Sequence, residues 1–251
     1  FSSQISVPNY SPQQLKPGIV HIGVGNFHRA HQAVYLDQLF RLGKSLDWAL
    51  VGTGVMPGDR VMGQILAQQD YLTTVVEQSA AGYKATVTGS MIDFFPPGDP
   101  TNIERLADPS IRIVSLTVTE GGYFINPATG EFDPDQPALK QDVANPETPT
   151  TAFGLILAGL HTRLERGIAP FTVMSCDNLL HNGNVTRNVV VGLAEMQDTK
   201  LATWVECEVA FPNGMVDRIT PMTSDREKTI LREEFGIEDG WPVFCENYIQ
   251  W

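Results

Sequence analysis

The chain has 251 residues, enough to bury a large core as one big domain or two small ones. A hydrophobic content of 42% with 18% charged residues excludes a disordered chain, and a formal net charge of −12 argues against nucleic acid or an anionic membrane surface as partner. No apolar run approaches the roughly 20 residues that a membrane helix needs.

Residues 1–18 are polar and proline-punctuated and are expected to lie as an arm on the surface, with one domain spanning 19–251. Ile19–Gly23 reads as the first strand, and Ala30–Leu42 follows with Ala33, Val34, Leu36, Leu39, Phe40 and Leu42 mainly on one helical face. Asp47–Gly54 is a second buried strand, Met56–Arg60 a turn and Arg60–Gln68 a short helix. Tyr71–Glu77 and Lys84–Phe94, rich in Val, Thr and aromatics, form a hairpin around Ala80-Ala81-Gly82. Asn102–Ala107 is a short helix and Ile111–Val118 another apolar strand. Gly121–Pro149, with its prolines and acids, reads as a long loop of the kind that is usually functional or a surface excursion. Thr151–Arg166 and Val185–Gln197 are helices, Phe171–Cys176 and Glu206–Phe211 strands, Asp225–Phe235 a helix and Pro242–Glu246 a last strand. Continuous apolar strands alternating with helices indicate a doubly wound, mostly parallel sheet. The chain stops at Trp251 directly after a strand-like run, so further sequence is expected beyond it.

The three cysteines, Cys176, Cys207 and Cys245, are widely spaced without a C-x-x-C pair and read as reduced thiols of a cytoplasmic protein; the start, Phe-Ser-Ser-Gln, has no secretory features. The histidines form no zinc-type set with them, so no metal site is expected.

Chemistry concentrates where strands end. Gly23-Val24-Gly25 joins a strand to a helix, the setting in which a G-x-G turn lets backbone approach a pyrophosphate. A G-x-G alone also marks ordinary turns, and His28 stands where the third fingerprint glycine would be. Asp59, after the second strand, is placed to accept bonds from an adenosine ribose and to repel a 2′-phosphate; it could equally cap its helix, and Arg60 keeps the phosphorylated cofactor open. Asn178, after the strand ending at Cys176, offers an amide donor to an oxyanion, or else makes an Asx-turn with Asp177. His181 is an acid–base group or an ordinary loop histidine. Asp217 could accept a substrate hydroxyl, or form a structural pair with Arg218.

Four segments, Gly23–His31 (Gly-Val-Gly-Asn-Phe-His-Arg-Ala-His), Thr119–Tyr123 (Thr-Glu-Gly-Gly-Tyr), Ser175–Asn178 and Met215–Ile219 (Met-Val-Asp-Arg-Ile), occur in an order that resembles the mannitol dehydrogenase family of polyol-specific long-chain dehydrogenases, most of all its mannitol 2-dehydrogenase branch. The resemblance implies a Rossmann-like N-terminal domain, the family's helical C-terminal domain being absent here, and metal-independent hydride transfer between NAD and a polyol that interconverts D-mannitol and D-fructose. It implies that Gly23, Gly25, Asn26, Phe27, His28, Arg29 and Thr119 surround the cofactor, with Asp59 and Arg60 at its adenosine end. By the same resemblance Asn178 clamps the reacting oxygen, and Val216 and Asp217 touch the sugar chain. Relatives often carry an acid where Gly58 stands here, which weakens the NAD preference. The family's general base is a lysine in a K-x-x-x-x-N-x-x-H segment, and none of the six lysines stands in one. The chain is therefore expected to be the cofactor half of an enzyme, with the C-terminal catalytic domain as its partner. A non-catalytic dinucleotide module or redox sensor is the alternative, and a methyltransferase is disfavoured by the basic His28-Arg29.

Overall fold

Four mainly apolar runs become neighbouring parallel strands of one sheet, because a strand covered on both faces has no solvated side, and Met91–Phe95 joins them at one edge. The computed structural model describes residues 5–126 and 128–251. In chain order these form β1 (Ile5–Ser6), β2 (Pro17–Ile22), α1 (Asn26–Ala30), α2 (Gln32–Arg41), β3 (Ala49–Thr53), α3 (Asp59–Gln68), β4 (Thr73–Ser79), β5 (Gly82–Thr88) and β6 (Met91–Phe95). There follow α4 (Asn102–Ala107), β7 (Ile113–Leu116), α5 (Pro137–Ala144), α6 (Ala152–Arg166), β8 (Thr172–Ser175), α7 (Asn182–Gln197), α8 (Thr199–Glu208), α9 (Asp225–Phe235) and β9 (Val243–Glu246).

The main sheet has the order β6-β3-β2-β7-β8, every pair parallel. Leu106, Phe153, Ile156, Leu160, Val190, Leu193 and Val205 from α4, α6, α7 and α8 cover one face. Leu36, Phe40, Met62 and Leu66 from α2 and α3 cover the other. The chain runs outward from β2 to β3 and β6, then returns to add β7 and β8 on the opposite side. That reversal leaves a crevice outside the carboxyl ends of β2 and β7, the place where open α/β sheets take ligands.

The hairpin of β4 and β5 matches its expected position, but it belongs to a second sheet of order β1-β5-β4-β9. There β1 and β9 pair parallel to β5 and β4, so part of the N-terminal arm is a strand. Ala30 and Val34 pack on one side of this sheet, Leu231 and Phe235 of α9 on the other. α9 has the expected bounds because Ser224 and Glu227 form a reciprocal capping box at its start.

Four expectations are corrected. Glu206–Phe211 is not a strand: Leu201, Ala202 and Val205 recur at helical spacing, Asp198 caps Leu201 N–H, and α8 runs to Glu208. Only its extended exit touches β8, through Val173 N–H to the Ala210 carbonyl. The helix foreseen as starting at Ala30 begins at Asn26 and breaks at His31, whose ring bonds the Gln250 carbonyl at 2.6 Å. Lys84–Phe94 divides into β5 and β6, one in each sheet. The loop Gly121–Pro149 carries a 3-10 turn ending at Tyr123 and the helix α5.

Candidate functional site

The two glycines after β2 are required for different reasons. Gly23 has φ +94, and a Cβ there would stand 2.1 Å from the Thr117 carbonyl oxygen, so the turn presses directly against the end of β7. A Cβ on Gly25 would meet nothing nearer than 4.0 Å, so its side is bare to the crevice and open to close approach by a ligand. The Gly25 N–H is already committed to the Gly23 carbonyl at 2.8 Å. Any phosphate here must be met by the amides of the next residues, Asn26 and Phe27, which open α1.

A cavity of about 720 Å³ occupies the crevice and gathers the predicted segments. Gly23, Gly25, Asn26 and Phe27 form one wall, Thr117 and Thr119 the floor beyond β7, and Cys176, Asp177 and Asn178 the end of β8. Val216 and Asp217 close a third side, and Thr223, Lys228 and Trp241 a fourth. Asp177 does not turn back on Asn178: its carboxylate accepts Val118 N–H at 3.0 Å, Thr119 N–H at 3.3 Å and the buried Tyr123 hydroxyl at 2.7 Å. Asn178 is exposed, and its amide has no hydrogen-bond partner among the described residues. Burial pushes the neighbouring Cys176 thiol up to about 12, so it stays protonated and unreactive.

Asp217 and Arg218 do not pair with each other. The Arg218 guanidinium is fully buried, donating to the Ala30 carbonyl at 2.6 Å, the Glu246 carbonyl at 3.0 Å and Glu77 at 2.8 Å. It ties the end of α1 to the Val216–Ile219 segment and leaves the exposed Asp217 carboxylate free, while the Asp217 backbone bridges to Gln250. Val216 is buried behind it.

His28 and Arg29 stand elsewhere than the resemblance implied. Both are 1% exposed and lie behind the glycine turn. Arg29 donates to the Trp241 carbonyl and to Asn26, whose own amide holds the Pro221 carbonyl at 2.9 Å. The His28 ring lies on His21 at 3.5 Å between centroids, 11° from parallel. Burial drives His28 well below the usual histidine range and His21 to about 3, so both are neutral. These side chains shape the turn instead of lining the cavity.

Asp59 and Arg60 sit away from that cavity, beyond the ends of β3 and β6. Gly58, not Asp59, takes the cap position of α3. Asp59 folds back so that Oδ2 accepts Val55 N–H at 3.0 Å and Met56 N–H at 2.9 Å. Arg60 donates to the Pro97 carbonyl and lines a second cavity of about 530 Å³ with Gly54, Val55 and Asn102. His181 caps α7 in a left-handed conformation, with no side-chain hydrogen bond to that helix.

Sequence reasoning missed Lys228 and Trp241, which come to the cavity from a distant segment, and His21, whose position inside an apolar strand is itself a signal of a buried polar role. Among the described residues no helix is long and apolar enough to cross a membrane, and no group of three or more His, Cys, Asp or Glu is placed to hold a metal.

Comparison with known proteins is consistent across three sources. Residues 17–251 match the family model described as the mannitol dehydrogenase Rossmann domain. The mannitol 2-dehydrogenase of Cereibacter sphaeroides is 57% identical over 100% of this chain and 53% of its own length, and that of Aspergillus fumigatus 46% identical over 98% and 50%. A solved ternary complex of Pseudomonas fluorescens mannitol 2-dehydrogenase with NAD and D-mannitol superposes with a TM-score of 0.97 at 47% identity, covering 100% of this chain and 51% of that one. A D-sorbitol dehydrogenase in substrate-free form gives 0.94 at 44%, covering 99% and 52%. The chain spans about half the length of the relatives it matches.

Proposed function

The chain belongs to the mannitol dehydrogenase family, and on that premise we propose that it is the NAD-binding half of a polyol oxidoreductase interconverting D-mannitol and D-fructose. The observation that carries this reading is the single crevice that joins the bare Gly25 turn, the unpartnered Asn178 amide and the free Asp217 carboxylate. The turn fits a dinucleotide, because Gly25 admits close approach and the Asn26 and Phe27 amides face the same space. Asp59, with Oδ2 fixing its loop, has Oδ1 to offer an adenosine ribose beside the second cavity.

When bound, NAD supplies the hydride acceptor for alcohol oxidation and, reduced, the donor for ketose reduction. The chain's own residues bind and orient around it. The Asn178 amide donates to the reacting oxygen and steadies the negative charge that gathers there. Asp217 accepts from a neighbouring hydroxyl, and Val216 gives the sugar chain an apolar wall. The base that takes the alcohol proton comes from the half its relatives carry beyond this chain, since Lys228, the lysine on the cavity wall, lies in no K-x-x-x-x-N-x-x-H segment.

The test follows reduced-nicotinamide absorbance with mannitol and NAD, in this chain and in a protein extended to the full length of its relatives. Turnover confined to the longer protein is the expected result. NAD binding without turnover in both makes this a dinucleotide module or redox sensor. Absence of binding in both rejects the reading.

A further inference from the structure

Beneath the glycine turn lies a chain of polar groups that neither catalysis nor direct cofactor contact explains. His21, fully buried in β2, has Nδ1 2.8 Å from the Ser115 hydroxyl and Nε2 3.0 Å from the Thr117 hydroxyl. The Ser115 hydroxyl in turn lies 3.0 Å from Gln32 Oε1, with Gln32 Nε2 left without a partner among the described residues, and Thr117 donates to the Gly23 carbonyl at 2.7 Å.

Proton counting narrows the arrangements. A hydroxyl has one proton, and a neutral imidazole one donor and one acceptor. If Thr117 gives its proton to Gly23, its oxygen must accept from His21, so Nε2 carries the hydrogen. His21 Nδ1 then accepts from Ser115, which uses the only Ser115 proton, so Gln32 must turn its amide through a half-turn and present Nε2 in place of Oε1 to the Ser115 oxygen. Every hydroxyl and ring N–H in this order meets an acceptor, and the series ends on the carbonyl that shapes the turn. The opposite order, with hydrogen on Nδ1, leaves Gln32 as it stands and Ser115 donating to Oε1, but it takes the Thr117 proton for His21 and strips it from Gly23.

We propose that His21, acting through Thr117, is a positioning residue that holds the Gly23–Gly25 turn in its cofactor-binding form by donating from Nε2. The proposal rests on the NAD reading for its effect on binding, but not for the hydrogen-bond order itself. The Gly23 carbonyl takes bonds from both Thr117 and Gly25, so slackening the first frees the second and lets the bare face of Gly25 turn away. His28, stacked on His21 with neither ring nitrogen bonded among the described residues, roofs the series and keeps water from competing for its protons.

The experiment uses this chain and has two arms. Nitrogen-15 NMR of the histidine side chains reads the His21 tautomer without any ligand; hydrogen on Nε2 is expected, and hydrogen on Nδ1 overturns the proposal. NAD titration then compares His21→Gln, which can keep a donor at the Nε2 position, with His21→Asn, which can keep one only near Nδ1. His21→Gln should bind NAD within about twofold of the native chain, and His21→Asn about tenfold more weakly, the scale of one lost hydrogen bond. Equal affinities, or the reverse ranking, overturn it. Should either variant fail to fold, Thr117→Val and Thr117→Ser replace them: Ser must restore the affinity that Val loses. If the native chain binds no NAD, the functional reading fails while the tautomer still decides the hydrogen-bond order.

Discussion

The two sides of the crevice are built differently. The glycine-turn side is over-determined: Gly23 is wedged against Thr117, His21 and His28 are stacked below, Arg29 holds Trp241 and Arg218 holds the end of α1. The rest of the rim is unfinished. Asn178 and Asp217 present unpaired polar groups, flanked by Leu180, Met215 and Met222, which are 82%, 58% and 91% exposed. A pre-formed surface suits a ligand whose phosphates must meet fixed amides, and loose polar groups beside bare apolar ones suit a site completed by further groups. The contrast separates residues whose loss should unfold the chain from residues whose loss should only silence it.

The sharpest break is between the two glycines. Gly23→Ala combines a strained φ with a clash against the Thr117 carbonyl and should destabilise by about 4 kcal/mol in denaturant melts. Gly25→Ala has room for its methyl, so stability should hold while NAD affinity falls by about tenfold or more as the approach is blocked. Matching losses of stability in the two variants would erase the distinction. Next, Arg218→Leu removes the tie between α1 and the Val216 segment and leaves Glu77 without its buried partner. Because Glu77 keeps 24% exposure, a loss of about 3 kcal/mol is expected, at the low end for a broken buried pair.

On the unfinished rim, Asn178→Ala should leave melting unchanged and lower turnover about 100-fold in a protein of its relatives' full length. A variant as fast as the native enzyme would falsify the oxyanion role.

Acid gives a gentler probe. His21 falls from an ordinary value near 6.5 to about 3 on folding, so the unfolded chain binds the proton more readily. Its contribution is complete above pH 6.5 and is lost as pH falls from there toward 3; between pH 6.5 and 5 the loss is about 2 kcal/mol. Melts at pH 7 and 5 check this, with His21→Gln showing a smaller difference. The smallest effect is reserved for Asp59→Ala, which should loosen the Val55–Met56 loop by about 1 kcal/mol and narrow the preference for NAD over its phosphate. Unchanged selectivity would remove Asp59 from the cofactor site.

Four strands of the main sheet were legible because they are mainly apolar runs, whereas β6, with Asp93 in it, read as part of the hairpin. The crevice was legible because the glycine turn and the Asn178 and Asp217 segments each follow such a run or a motif in order. What escaped was partly local and partly tertiary. Val209 and Phe211 look like strand residues and do leave the helix extended, but the apolar spacing of Leu201, Ala202 and Val205 and the Asp198 cap hold the residues before them helical as far as Glu208. No local pattern announces that the hairpin leaves the main sheet for β1 and β9, since that choice is made by partners far along the chain. The family resemblance sets His28 and Arg29 around the cofactor. Their burial follows from the short α1 pointing them inward, a direction that spacing alone does not give.

Titrating NAD into this chain while following tryptophan fluorescence tests the central claim most directly, since Trp241 lines the same cavity as the glycine turn. Saturable binding at one site, weakened by Gly25→Ala and indifferent to Asn178→Ala, is the predicted result. A native chain that gives no saturable signal, or one that Gly25→Ala leaves untouched, would contradict it.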